Sequence, residues 1–247
     1  AIRKTSVVAT EHGGITQHIG AYQIVFKGKP ITFIDTPGHA AFEKMRSRGA
    51  DIADIVILVV AANDSVKPQT VEAIKHIKNA QKPTIVAITK VDLPNVNVEK
   101  VKKELQVQGI VVESYGGDVP VVEIAATIGR GIEDLLEVIQ LAWQLSPELS
   151  YPNYPLEAVV VESFLDKNRG PIVTSIPKIG TLRIGQKIMV DSEAISVRAL
   201  IDDNGKNVKE APPAKPVEIL GFKKIMDVGR VITDQINLKT SQTPQLS

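Results

Sequence analysis

Ile31-Thr32-Phe33-Ile34-Asp35-Thr36-Pro37-Gly38-His39 is the stretch whose reading decides the fold. An apolar, β-favouring run reaches an acid and then a Pro-Gly turn, and Ala40 to Gly49 continues as a helix-compatible segment. This order predicts a parallel strand that delivers a carboxylate to the carboxyl edge of a sheet, the edge at which ligands bind in open α/β folds. Asp35 would stand where a nucleotide-bound magnesium ion is held. Gly38 would offer an unhindered backbone N–H to a terminal phosphate, so the chemistry indicated is phosphoryl transfer.

Working outward, Tyr22–Phe26 and Ile31–Ile34 flank Lys27-Gly28-Lys29-Pro30, which predicts a β-hairpin with a glycine turn. Ile55 to Val60 is an unbroken apolar run of strand length, expected at the centre of a parallel sheet covered on both faces. Pro68 suits a first helical turn, and Val71, Ile74 and Ile77 supply its apolar face. Pro83 to Ile88 repeats the buried strand. Val98, Val101 and Leu105 share one helical face, with Glu99 and Lys103, and Lys100 and Glu104, four apart on the exposed side. After the short strand Val121–Ile124, the residues Ile132, Leu135, Leu136, Ile139 and Trp143 form the stripe of a last helix. Apolar strands alternating with amphipathic helices predict an α/β fold, a doubly wound and mostly parallel sheet.

The region Ser146 to Pro155 contains three prolines, which neither a helix nor a central strand can carry through, and the periodicity changes beyond it. Short β-rich pieces follow at Leu156 to Phe164, Ile172 to Ile176, Lys187 to Val190, Ile195 to Leu200, Val217 to Leu220 and Val228 to Thr233. With glycine and Asn-Gly turns between them they predict a small β-barrel. The expected division is therefore 1–150 and 151–247. Pro177 removes a ladder donor and predicts an edge or a bulge. Asp202-Asp203-Asn204-Gly205 lacks the ligand order of a calcium loop and predicts a hairpin turn, and the polar residues from Leu238 onward predict a frayed end.

Composition narrows the function classes. A length of 247 residues allows one large domain or two small ones, each with a workable core. A net charge of +1 gives no strong positive field for nucleic acid, and 4% aromatic residues argue against a base-stacking platform. The chain has no cysteine, which excludes disulfides, thiolate metal sites and a cysteine nucleophile together. No run of about 18 apolar residues is present, so no membrane-spanning helix is expected.

Two further strings carry a resemblance. Gly13-Gly14-Ile15-Thr16-Gln17-His18-Ile19-Gly20-Ala21-Tyr22 precedes the hairpin, and Thr89-Lys90-Val91-Asp92 closes the strand at Pro83 to Ile88. Together with Asp35-Thr36-Pro37-Gly38-His39 they are similar to the first switch, the base-reading motif and the second acidic motif of the translational GTPases, specifically the bacterial-type initiation factor two branch. The resemblance implies binding of GTP and GDP with magnesium (Mg2+), and GTP hydrolysis that times release from the ribosome. Thr16 and Asp35 would support the metal, Gly38 would sense the γ-phosphate, and His39 would position the attacking water. Thr16 also suits a solvated loop, and His39 a capping or structural role.

Asp92 would accept hydrogen bonds from guanine N1 and the exocyclic amine while the Lys90 stem packs on the ring. Thr89 stands where the family has asparagine. Ala125-Ala126-Thr127 stands where it has Ser-Ala-Lys, so Ala126 matches while Ala125 and Thr127 depart. Asp166-Lys167-Asn168-Arg169-Gly170-Pro171 resembles the family's Asp-Lys-Gly-Arg-Gly-Pro loop in the barrel domain, with Asn168 replacing glycine.

A Gly-x-x-x-x-Gly-Lys-[Ser/Thr] phosphate loop is missing from these residues. Lys4 follows Arg3, and neither Gly28-Lys29 nor Gly205-Lys206 has a glycine five residues earlier. The resemblance places that loop before Ala1, about 15 to 25 residues upstream of Gly13, making 1–150 an N-terminally incomplete GTPase domain. The partners implied are the two ribosomal subunits, with initiator tRNA reached through regions outside this chain and no membrane. The compartment implied is the bacterial cytoplasm, or an organellar matrix or stroma. A tRNA-delivering elongation-type GTPase and a non-hydrolysing ribosome-binding module are the alternative readings.

Overall fold

The computed structural model describes residue 2 and residues 20–36, 49–50, 52–145, 152–191 and 193–234. They fall into two compact units, one holding the described residues of Thr36–Glu148 and the other those of His18–Asp35 and Leu149–Ser247.

The first unit is built on β3 (Val56–Ala61), β4 (Thr84–Thr89) and β5 (Val121–Ile124), a parallel sheet in the order β3-β4-β5. The crossovers run through helices α1 (Pro68–Ala80) and α2 (Val98–Val107), and α3 (Ile132–Leu145) follows β5. Apolar side chains of β3 and β4 pack with those of α1 and α2 in one core, with Val86, Ile88, Val101 and Leu105 fully buried. The helical faces predicted from spacing are the buried ones, Ile74 and Ile77 in α1 and Val101 and Leu105 in α2. Asn97 caps α2 by accepting the Lys100 N–H at 2.9 Å. On its exposed side Lys100 pairs with Glu104, whereas Glu99 pairs with Lys102 and not with Lys103.

Two strands meet their sequence expectations only in part among the described residues. The run at Ile55 to Val60 was expected at the sheet centre; among the described residues β3 has a partner strand, β4, on one side, and Val59 is 60% exposed. Its outer edge has no partner strand among the described residues, and β4, paired on both sides, is the strand that is buried throughout its middle. The strand carrying Asp35 was expected both to close a hairpin and to run parallel in the main sheet, and the hairpin is formed. The strand is β2 (Lys29–Asp35), paired antiparallel with β1 (Gly20–Phe26), and among the described residues these two form a sheet apart from β3-β4-β5. The Lys27-Gly28 turn sets this register, since both residues adopt positive φ as a tight two-residue hairpin requires. Tyr22 stacks on its cross-strand partner Phe33 with ring centroids 5.4 Å apart.

The second unit holds this hairpin and the β domain. Its strands are β6 (Glu157–Asp166), β7 (Gly170–Ile179), β8 (Leu182–Arg183), β9 (Lys187–Val190), β10 (Glu193–Ser196), β11 (Ala199–Asp202), β12 (Asn207–Val208), β13 (Glu210–Ala211), β14 (Val217–Leu220) and β15 (Val231–Asp234). Eight form one antiparallel sheet in the order β10-β9-β15-β6-β7-β14-β11-β12, and β13 pairs with β8. Ile195 near one end of the sheet and Leu200 near the other lie in the same buried cluster with Val160, Val173, Ile188, Ile219 and Ile232. A flat sheet could not bring these together, so the sheet curls around its own core as the predicted barrel requires.

Pro177 lies at a register shift between β6 and β7, which is the bulge expected of it. Asp202 closes the acidic turn by accepting the Asn204 and Lys206 N–H groups, while Asp203 accepts the Gln23 N–H at 3.0 Å. Gln23 Nε2 and the Thr32 hydroxyl both donate to the Ala214 carbonyl, so the β1–β2 hairpin is fastened to the β domain.

Ile88 has no exposed surface and sits on the strand flanked by both neighbours. Ile88→Ala should lower unfolding free energy by about 2–5 kcal/mol in a denaturant titration, with the m-value unchanged.

Candidate nucleotide-binding site

Parallel register brings the carboxyl ends of β3, β4 and β5 to one edge of the first unit. Ala62 N–H donates to the Thr89 carbonyl at 2.8 Å, and Val91 N–H donates to the Ile124 carbonyl at 3.3 Å. The turns that follow the three strands are therefore neighbours. Thr89-Lys90-Val91-Asp92 occupies the middle position, with Ala62-Asn63-Asp64-Ser65 on one side and Ala125-Ala126-Thr127 on the other.

Each side contributes a side-chain contact to the middle turn. Lys90, in the left-handed region at φ 60°, places its ammonium 3.6 Å from Asp64 Oδ2. Asp64 Oδ1 also takes Lys67 Nζ at 2.8 Å, and this bond, followed by the charges of Lys67 and Lys90, holds the Asp64 carboxyl below its usual range. From the opposite side, the Thr127 hydroxyl donates to Asp92 Oδ2 at 2.9 Å. Asp92 itself is exposed, so the remainder of its carboxylate faces outward.

The turn after β5 is stiff. Ala125 N–H donates to the Arg130 carbonyl at 3.0 Å and Ile128 N–H to the Ala125 carbonyl at 3.2 Å. Ala125 is fully buried beneath the turn, whereas Ala126 lies exposed next to it. Gly131 closes the loop at φ +77°, and a Cβ there would come within 2.1 Å of the Glu123 carbonyl oxygen. Such a turn offers a rigid, open shelf beside a carboxylate and an aliphatic lysine stem, a combination suited to a flat base with adjacent N–H donors.

The structure thus gathers five of the expected residues, Thr89, Lys90, Asp92, Ala125 and Ala126, at one sheet edge. Asp35 ends β2 with an exposed side chain in the other compact unit. Thr16, Gly38 and His39 lie outside the described residues. Among the described residues no group of three or more His, Asp or Glu side chains is placed to hold a metal ion. Magnesium bound with a nucleotide needs only one or two protein ligands besides phosphate and water, so one accessible carboxylate at a strand end fits it. Asp64 was not singled out from sequence. Its signal was available, because an acid directly after an apolar strand falls at the same edge as Asp92.

A sequence profile for the Elongation factor Tu GTP binding domain matches residues 4–144, more than half of the chain. The chain belongs to that family. A second profile, Elongation factor G domain 2, matches residues 155–235. The Translation initiation factor IF-2 of Carboxydothermus hydrogenoformans is 50% identical over 98% of this chain, and that of Clostridium botulinum strain Okra is 52% identical over 93%. The chain spans only 29% and 33% of these two relatives. Among solved structures, GDP-bound aIF5B from Aeropyrum pernix aligns with a TM-score of 0.74 at 26% identity, covering 96% of this chain and 51% of that one. A bacterial selenocysteine-specific elongation factor, EF-Sec, aligns with a TM-score of 0.71 at 26% identity over 90% of this chain and 39% of its own. The family's GTP-binding domain and the β domain that follows it account for both halves of the fold. No described helix is long and apolar enough to cross a membrane.

Two outcomes test this geometry. Gly131→Ala should destabilise the protein by roughly 2 kcal/mol or more, read as a lowered denaturation midpoint, because the added methyl meets backbone in a left-handed conformation. The Asp64 carboxyl should stay ionised below the usual range in an NMR titration. Since its pKa is depressed by folding, the stability it contributes should be complete above its unfolded value and fade as pH falls through the folded one.

Proposed function

We propose that this chain provides the guanine-nucleotide-binding domain and the adjoining β-barrel domain of a translation initiation GTPase, with the domains at 1–150 and 151–247 along the sequence and the β1–β2 hairpin of the first grouped with the compact unit of the second. The observation that carries the reading is the Thr89–Asp92 turn, which presents an outward carboxylate and a lysine stem beside the exposed Ala126. It is supported by the similarity to initiation factors over nearly the whole chain and to a GDP-bound structure.

In this reading Asp92 accepts from guanine N1–H and the exocyclic amine, the Lys90 stem covers the ring, and Ala126 faces the carbonyl edge with its backbone N–H. Ala125 packs beneath this shelf, and Thr89 ends the strand that positions it. Asp35 and Thr16 hold Mg2+, which when bound offsets the charge of the β- and γ-phosphates. Gly38 registers the γ-phosphate through its N–H, and His39 orients the attacking water. The partners are the ribosomal subunits, with initiator tRNA contacted outside this chain, and the compartment is the cytoplasm. Hydrolysis of GTP to GDP and phosphate then times departure from the ribosome.

The base assignment is tested by Asp92→Asn in the full-length protein. One carboxylate acceptor becomes an amide donor, so GDP affinity should fall roughly 10- to 100-fold while xanthosine diphosphate, which carries a carbonyl at the amine position, gains relative to it. Unchanged GDP affinity in a competition titration would remove Asp92 from the site. His39→Ala should leave GTP affinity within a few-fold and slow ribosome-stimulated hydrolysis by roughly 100-fold or more in single turnover. A near-normal rate would return His39 to a structural role.

A further inference from the structure

Thr127 is a departure from the family's Ser-Ala-Lys string, yet it makes the one hydrogen bond to the Asp92 carboxylate seen among the described residues. We infer that Thr127 is a positioning residue that fixes the plane of the Asp92 carboxylate for a guanine base, an assignment that rests on the guanine-site reading above. Lysine in this position would be a long, mobile cation. Threonine is β-branched with a single stiff torsion before its hydroxyl, and its own backbone is held by the Ala125–Arg130 and Ile128–Ala125 bonds and by the closure at Gly131. The donor is therefore delivered from a fixed frame to a side chain 35 residues away in sequence.

The physical need is specific. Two N–H groups side by side on a flat ring are best met by a carboxylate lying in the plane of that ring, and an exposed aspartate otherwise rotates about its last torsion. Freezing that rotation before the ligand arrives lowers the ordering cost of binding. Thr127 occupies one lone pair of Oδ2, and an ionised carboxylate has about four such sites, so acceptors remain for both ring donors. Ala125, which stands where the family has a serine, has no hydroxyl to offer. The donor to Asp92 comes instead from the residue two positions later.

The experiment compares Thr127→Val, which keeps the shape and removes the hydroxyl, with Thr127→Ser, which keeps the hydroxyl. Equilibrium affinities for GDP and for inosine diphosphate, which lacks the exocyclic amine, are measured on the full-length protein. Thr127→Val should weaken GDP about 3- to 10-fold and inosine diphosphate by clearly less, so that preference for GDP contracts, while Thr127→Ser stays within about 2-fold of the parent in both. Equal losses for the two nucleotides would reflect a damaged fold and overturn the inference, as would an unchanged valine variant or a serine variant as weak as valine. A parent protein showing no preference for GDP over inosine diphosphate would overturn the guanine-site reading itself, and this inference with it.

Discussion

The parallel pairing of β3, β4 and β5 is the constraint on which the base site depends. In a parallel ladder the strands end on the same side, and the hydrogen bonds Ala62 to Thr89 and Val91 to Ile124 continue the pairing past the last strand residues. Three turns that are tens of residues apart in sequence become adjacent without any contact designed to hold them. Only then can a carboxylate from the middle turn meet a hydroxyl from one side while a lysine meets an acid from the other. A slip of one residue in β4 would exchange the side chains on its two buried faces and carry Asp92 away from Thr127 at the same time.

The exposed ion pairs around this edge contribute little to holding the fold, because water screens them. Their value is orientation. Lys67 and Lys90 converge on Asp64 from a helix start and from a strained turn, so the Lys90 ammonium has a preferred direction although much of the side chain remains exposed. Stability instead comes from the buried aliphatic faces of β4, α1 and α2 and, in the other unit, from the inward side chains of the curled sheet.

Elements whose pattern follows a local period were legible in the sequence. The buried faces of α1 and α2, the continuous apolar run of β4, the bulge at Pro177 and the turn at Asn204-Gly205 each depend on neighbours within a few residues. What was not legible depends on which strand lies beside which. Val59 is as apolar as Ile88, yet among the described residues one is exposed on a strand with a single partner and the other fully buried on the strand paired on both sides. For β2, by contrast, the glycine turn at Lys27-Gly28 foretold the antiparallel pairing with β1, because that pairing is local. The strand expected across Ile195 to Leu200 is two, broken at Val197 and Arg198, where the chain bonds to Gln186 and Leu220 and leaves one end of the sheet for the other. At the site, Asp92 and Lys90 were legible by their place after a strand. Thr127 was visible only as a mismatch, since its partner lies 35 residues away.

The strand β6 has one edge against β7 and the other against β15, the last described element of its unit. The β6–β7 hairpin is local and can form soon after both strands leave the ribosome, on a microsecond timescale. Its second edge cannot be covered until Val231–Asp234 has been made, some 70 residues later, which at ~5–20 residues per second is a delay of several seconds. Throughout that interval the growing chain presents an open strand edge along Glu157–Val160, the backbone that β15 and the turn before it later cover, so the order of synthesis itself leaves this domain in need of whatever shields nascent β-sheet from its neighbours.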